Sequence, residues 1–477
     1  MAVFDRLPIE LIQPILCQLD DRRDLTAAAL VCWSFNDAAT PLIYRTIDAH
    51  IKDNIVVSHP STTLLRRREL ARYVWHVTET GTWLEGAALR SNPCMAEDII
   101  AALRLCTNLV SATWVDYDEA AETVFMPILE ILMTLPLKEL TIRTKYDVGD
   151  RAWALLDSKT GICRLSVWSL EWAKSRVLQG WAERLGPTLT HLQLGRCAGV
   201  PPAILISVFS QLPLLQDLRV KGVQSAAMPS IMACLPNLIA LDTEFQRHGN
   251  YHLPSTPLPR LQRLTIRTSS VDVFGPDQLW NWTCSLIPYE GSLQSFSLGS
   301  FAVQGRIAIP QSFVTRLLRR HGKSLVQFIV GIAEITPDSL IYLCLDCPSL
   351  ESLECSVASA DMETIAKATE PAKNLRALQL YVLWTQAGII HTTPRVFYSQ
   401  NTMYGDYSYP NKTVAFSVEE ARTLMLRDGS KLRAITLGDV SYSGRWVRAT
   451  PERDPGSRCE DDLVFEVVKD NRYTRVL

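Results

Sequence analysis

Three short constellations in this 477-residue chain have side chains and spacings that can do chemistry. Cys344-Leu-Asp-Cys347 is a CxxC, the spacing at which two thiolates share a metal ion or close a redox disulfide. No second pair stands at metal spacing, and Cys347 opens a Cys-Pro-Ser turn of a kind that recurs along the chain, so both sulfurs read as structural. His248 and His252 stand four apart with Glu244 nearby, a spacing that places two imidazoles on one helical face, yet Gly249-Asn250-Tyr251 between them reads as loop. Gly322-Lys323-Ser324 has the ending of a phosphate-cradling loop. Position 317 is Leu where that loop carries Gly, and no strand leads into it, so Gly322 reads as a helix C-cap. There is no Gly-x-Ser-x-Gly elbow and no dinucleotide fingerprint. The expectation is a protein that is not an enzyme and needs neither cofactor nor metal.

Composition narrows the class further. Apolar residues make up 47% and charged residues 21%, ordinary for a folded globular chain, and the net charge of -2 gives no electrostatic reason to expect nucleic acid or an anionic membrane. The Arg66-Arg67-Arg68 run reads as a solvated linker. No segment approaches the roughly 18 apolar residues that span a bilayer, and the first residues hold no basic stretch followed by a continuous apolar one, so no secretory leader is expected. The twelve cysteines, scattered through apolar segments, then read as reduced and buried, and the sequons at Asn281 and Asn411 as coincidence. The expected location is the cytoplasm, the nucleus or both.

The elements that must position any site announce themselves by repetition. A pattern LxxLxΦ, with Φ apolar, starts at Leu109, Leu137, Ile162, Leu189, Leu215, Leu238, Leu261, Leu293, Leu325, Leu350, Leu375 and Leu432. Successive starts lie 28, 25, 27, 26, 23, 23, 32, 32, 25, 25 and 57 residues apart, a near-constant period that signals a solenoid. The alternation at the end of each motif predicts a short strand, and apolar residues at helical spacing lie between motifs, as at Phe313, Leu317 and Leu318. Prolines in phrases such as Leu135-Pro-Leu137 and Leu235-Pro-Asn-Leu238 stop the helix and set up the turn into the next strand. The predicted fold class is therefore α/β, one strand and one helix per unit, each stacked on its neighbours.

This pattern resembles a divergent leucine-rich-repeat array of the longer, helix-containing type; the Asn or Cys that usually follows the strand is mostly missing, with Cys197 the clearest candidate. Such an array implies parallel strands on a concave side and helices on the convex side. The outward strand positions then nominate Arg143, Arg164, Trp168, His191, Arg219, Lys221, Arg263, Arg267 and Tyr381 as substrate-binding residues, since Arg and aromatics anchor protein interfaces. The array is expected over 70–440, with Leu70–Val77 as its N-terminal capping strand and an insertion at about 385–415 rich in Tyr, Ser, Asn and Pro. A helix from Ser417 restores the period, and 441–477 reads as a tail in which a charged linker leads to a final strand.

The first fifty residues hold more apolar surface than three short helices can enclose among themselves. Leu11, Ile15 and Leu19, flanked by Ile12 and Leu16, make one broad face; Asp24 is placed to cap a second helix, and Phe35, Leu42, Ile43 and Tyr44 form a third cluster. Pro14 predicts a kink near Gln13. The order Leu7-Pro8, Glu10-Leu11, Ile15-Leu16, Leu19, Leu25, Val31-Cys32, Phe35, Pro41, Tyr44 and Ile47 resembles the F-box. That resemblance implies a module at 1–50 that binds a Skp-family adaptor through Leu7, Pro8, Leu11, Ile15, Leu16, Leu25, Val31 and Cys32, while Phe35, Leu42 and Tyr44 hold the helices together. A linker is expected at 51–69. Through the adaptor it implies a cullin, and thus a substrate-recognition subunit of a Skp-cullin-F-box ubiquitin ligase with a protein target; the alternative is a non-degradative scaffold built on the same array. Neither nucleic acid nor a membrane is an expected partner.

Overall fold

The computed structural model describes residues 8–49, 59–80, 94–116, 121–169, 177–246, 258–268, 276–289, 291–300, 307–357, 361–382, 416–438, 440–448 and 463–470. The chain forms two compact units, Met1–Gly222 and Val223–Leu477.

Unit one begins with three helices, α1 (Ile9–Leu16), α2 (Arg22–Ala29) and α3 (Trp33–Ile43). Among the described residues, seven parallel strands follow in chain order: β1 (Thr46–Asp48), β2 (His76–Thr80), β3 (Ser111–Asp116), β4 (Glu139–Thr144), β5 (Arg164–Ser169), β6 (His191–Leu194) and β7 (Asp217–Val220). Helices connect them, among them Met95–Leu105, Ala121–Thr134 and Pro202–Phe209. Unit two continues the pattern with β8 (Ala240–Phe245), β9 (Arg263–Thr268), β10 (Ser295–Ser300), β11 (Gln327–Ile335), β12 (Ser352–Val357), β13 (Ala377–Val382) and β14 (Ala434–Leu437), again parallel and in order. It ends differently, because β15 (Val440–Arg448) and β16 (Leu463–Lys469) run antiparallel.

The repeat explains the ladder. All twelve motif-opening residues, from Leu109 to Leu432, are at most 4% exposed, and the fourth and sixth positions are equally buried, as at Leu140 and Ile142 or Phe328 and Val330. One face of every strand thus packs on the helix layer, and the polar residues between take the other face. The turn into each strand is fixed by a recurring hydrogen bond. The Lys138 and Glu139 amides both donate to the Val110 carbonyl (2.8 and 3.1 Å), those of Cys163 and Arg164 to Lys138, and those of Gln216 and Asp217 to Thr190. The same doubled bond reappears in unit two, where Gln294 and Ser295 donate to Gln262. Each unit is therefore templated by the one before it.

Three boundaries move. The expected capping strand Leu70–Val77 starts only at His76; Arg68–Tyr73 is a 3-10 turn, because the buried residues are Leu70, Ala71 and Val74, a helical rather than an alternating spacing. The expected linker 51–69 contains the helix Pro60–Arg66, which the His59 ring caps by accepting from the Ser61 amide at 3.1 Å. In the expected tail, 441–448 is strand, paired with both β14 and β16. Gly444 in its centre makes room for its neighbours, since a Cβ there would stand 2.5 Å from the Phe465 ring. The insertion at about 385–415 lies outside the described residues, and the helix Val418–Met425 after it carries a full capping box between Ser417 and Glu420.

Candidate docking surfaces

Within unit one the N-terminal module divides its apolar residues into two sets. α3 packs against both α1 and α2, and Ile12, Leu16, Leu25 and Ala39 make the shared core, with Leu19, Phe35, Leu42 and Ile43 partly buried around it. The Asn36 amide donates to the Ala29 carbonyl at 3.1 Å and ties α3 to the end of α2. On the outside stand Leu11 and Ile15, 50% and 52% exposed and one helical turn apart, and Leu30, Val31 and Trp33 at the α2–α3 turn, 82%, 64% and 85% exposed. Pro8 and Cys32 are exposed as well, and Leu7 lies outside the described residues.

Two expected contact residues are therefore corrected. Leu16 and Leu25, 3% and 8% exposed, fill the module's own core and present no surface to a partner. Residues four apart share a helical stripe, so α1 carries two adjacent stripes, Ile12 with Leu16 facing in and Leu11 with Ile15 facing out. Trp33 and Leu30 escaped the sequence reading, although their place beside the Val31-Cys32 pair was a signal. The cap of α2 also shifts, from Asp24 to Asp21, whose carboxylate accepts from the Arg23 amide at 2.8 Å. Pro14 does not end α1: the Cys17 amide still donates to Gln13 at 2.9 Å beyond it.

The described C-terminal end of the module pairs with the first strand of the array. β1 pairs with β2 from Thr46 opposite His76 to Asp48 opposite Thr78, and the amides of Trp75 and His76 both donate to the Arg45 carbonyl. A second fastening comes from His59, whose Nδ1 lies 2.8 Å from Ser61 Oγ and whose Nε2 lies 3.3 Å from Glu79 Oε2. This Ser-His-Glu set has the members of a nucleophilic triad, but all three residues are buried, and the ring's Nδ1 is already the cap of a helix. It works as a clasp between that helix and β2.

The nominated strand-face residues stand where alternation placed them, and register brings some together. In unit one Glu139, Arg164, His191 and Asp217 form one row, with Arg164 Nε 3.4 Å from Glu139. Thr141, Ser166, Gln193 and Arg219 form the next, and Arg143 lies opposite Trp168 in the third. Gln193 Oε1 accepts from Trp168 Nε1 at 3.3 Å and from Ser166 Oγ at 3.2 Å, and the Arg219 guanidinium lies 4.6 Å from the Trp168 ring centre. Lys221 follows β7, exposed. In unit two, Arg267 is held by Asp242 through two bonds of 2.7 and 2.8 Å, which raises its pKa, and Arg263 is exposed. Tyr381 donates to Glu354 at 3.1 Å and accepts from Gln379 at 2.6 Å.

The other constellations resolve as structure. Burial pushes the Cys344 and Cys347 thiols up to about 12, so both stay protonated and apolar at neutral pH. Gly322 ends the helix Gln311–His321. Arg66, Arg67 and Arg68 are exposed, with Arg67 paired to Glu69. His248 and His252 lie outside the described residues.

A strand–helix solenoid carries, on its first strand, a three-helix module with an exposed apolar surface. Comparison gives the module its family: residues 4–50 match the F-box-like family. The chain thus combines an F-box-like domain with a strand–helix repeat array. The comparison with curated proteins finds no match. Among solved structures, a chain in the crystal structure of the Rad7 and Elc1 complex in yeast is similar at 15% identity, covering 80% of this chain and 89% of that one with a TM-score of 0.44. A chain of the TLR13–ssRNA13 complex is similar at 12% identity, covering 70% and 51% with a TM-score of 0.38.

Proposed function

We propose that this protein is a non-enzymatic substrate receptor of a Skp-cullin-F-box type ubiquitin ligase, acting in the cytoplasm or nucleus. The observation that carries this reading is the exposed set Leu11, Ile15, Leu30, Val31 and Trp33 on an F-box-like module. Burying one such side chain is worth roughly 1.5–3 kcal/mol, so five of them left in water are a strong incentive to associate. A Skp-family adaptor is the partner that an F-box-like surface fits; the adaptor brings the cullin, and the array holds the target. The β1–β2 pairing supports the division of labour, because it fixes the direction in which the first repeats face once the module is docked.

Co-expression with a Skp-family adaptor tests the reading. The full chain should copurify with the adaptor and, in the assembled ligase, promote ubiquitination of a captured partner only when residues 1–50 are present. No copurification with any such adaptor would overturn it. Copurification with a partner that is captured but never modified would identify a scaffold instead.

A further inference from the structure

The strand face of unit one is not uniform, and its asymmetry points to the chemistry of what binds there. From β4 to β7 the outward positions carry Arg143, Arg164, Arg219 and Lys221 against Glu139 and Asp217, four cations to two anions. In unit two the same positions from β8 to β14 carry Arg263 and Arg267 against Asp242, Glu244, Glu334 and Glu354. The positive excess is thus local, in a chain whose net charge is -2. It is also graded within unit one. The row at the N-terminal ends of the strands mixes signs, with Glu139 beside Arg164, whereas toward the C-terminal ends Arg143 lies opposite Trp168, Arg219 reaches its ring, and Lys221 follows β7.

Trp168 is built into this patch. Gly195 is the next residue after Leu194, which pairs with Val167, so it stands opposite Trp168, and a Cβ there would come within 2.7 Å of the indole and 2.9 Å of the Trp168 Cα. The missing side chain lets the ring lie across β6 to reach Arg219, while Gln193 holds its Nε1. A half-buried aromatic fixed on both sides costs little ordering entropy when a partner lands on it, which is why Trp and Arg dominate interface hot spots.

We infer that this patch is the subsite for an extended, carboxylate-rich segment of the target protein, with Asp or Glu side chains against Arg143, Arg219 and Lys221 and chain or side-chain carbons on Trp168. The charge excess and the aromatic platform of Trp168 favour this occupant. A nucleic acid strand would find, among the described residues of this face, one indole to stack on where successive bases need several. The inference rests on the receptor reading for its biological meaning, but its test does not involve the adaptor, so the two fail separately.

The test is a selection of random displayed peptides on the purified full chain, followed by fluorescence anisotropy with the best binder, its Asp/Glu→Asn/Gln counterpart and a single-stranded RNA of equal charge. The expected result is enrichment of Asp and Glu, at least tenfold weaker binding of the neutral counterpart, and a similar loss in the triple variant R143Q/R219Q/K221Q, with no loss in R263Q. W168A should weaken binding about as much. Because that change could loosen β6, the exposed pair R143Q/K221Q, which leaves the indole in place, gives the independent reading and should still cost several-fold. Selection of neutral or basic peptides, acidic peptides that bind the triple variant unchanged, no peptide enriched at all, or preference for the RNA would each overturn the proposal.

Discussion

The apolar side chains of α1 are chemically alike and do opposite jobs, and position alone separates them. Leu16→Ala removes a side chain from the module core and should destabilise the protein by about 2–5 kcal/mol, whereas Leu11→Ala, half in water, should cost less than about 1 kcal/mol. Thermal melts of the two variants check this, and equal losses would contradict the inward and outward stripes. That the helix had a broad apolar face was legible in the spacing; which stripe faced inward was not, because it depends on where α3 packs. His321 shows the same limit. Its Nδ1 accepts from the Leu293 amide at 3.2 Å and its Nε2 donates to the Pro288 carbonyl at 3.1 Å, so the neutral ring ties the end of the helix Gln311–His321 to the segment before β10, and burial holds its pKa below the ordinary value. The unfolded chain therefore takes up this proton first as pH falls. The ring's contribution is complete above about pH 6.5 and is lost as pH drops below it. The stability gap between wild type and His321→Gln should be larger at pH 7.5 than at pH 5.5; a gap that does not change with pH would contradict this.

At the scale of elements, the repeat wrote itself into the sequence because each strand must present two apolar residues to the same layer, so every motif start from Leu109 to Leu432 was visible. Some elements that break the period were not. The 3-10 turn at Arg68–Tyr73 was hidden in a run that also suits a strand, and β15 by Gly444, whose small size serves its neighbour Phe465 rather than strand propensity. Helix ends were partly hidden too, since a donor can come from afar. Lys159 Nζ donates to the carbonyls of Met133 at 2.9 Å and Leu135 at 2.7 Å, closing the helix Ala121–Thr134 from the next repeat, and burial lowers its pKa. Lys159→Met keeps the length and removes the donor, which should cost about 1–3 kcal/mol, read as a lowered melting temperature. Ser417→Ala should cost about 1 kcal/mol by opening the capping box of Val418–Met425.

For the whole molecule, the account is a division of function along the chain: a module that leaves apolar residues outside, a strand that fixes it to the first repeats, and a repeat face that differs in charge between the two units. Its central claim is that Leu11 and Ile15 are outside because a partner covers them. The direct measurement is the affinity of the full chain for a Skp-family adaptor by calorimetry, with the double variant L11D/I15D beside wild type and the melting temperature of each recorded. Two carboxylates cannot be buried unpaired in an apolar interface, but they are harmless on a solvated helix face. The account predicts loss of measurable binding with the melting temperature essentially unchanged. Wild-type affinity in the double variant, or a collapse of its fold, would contradict it.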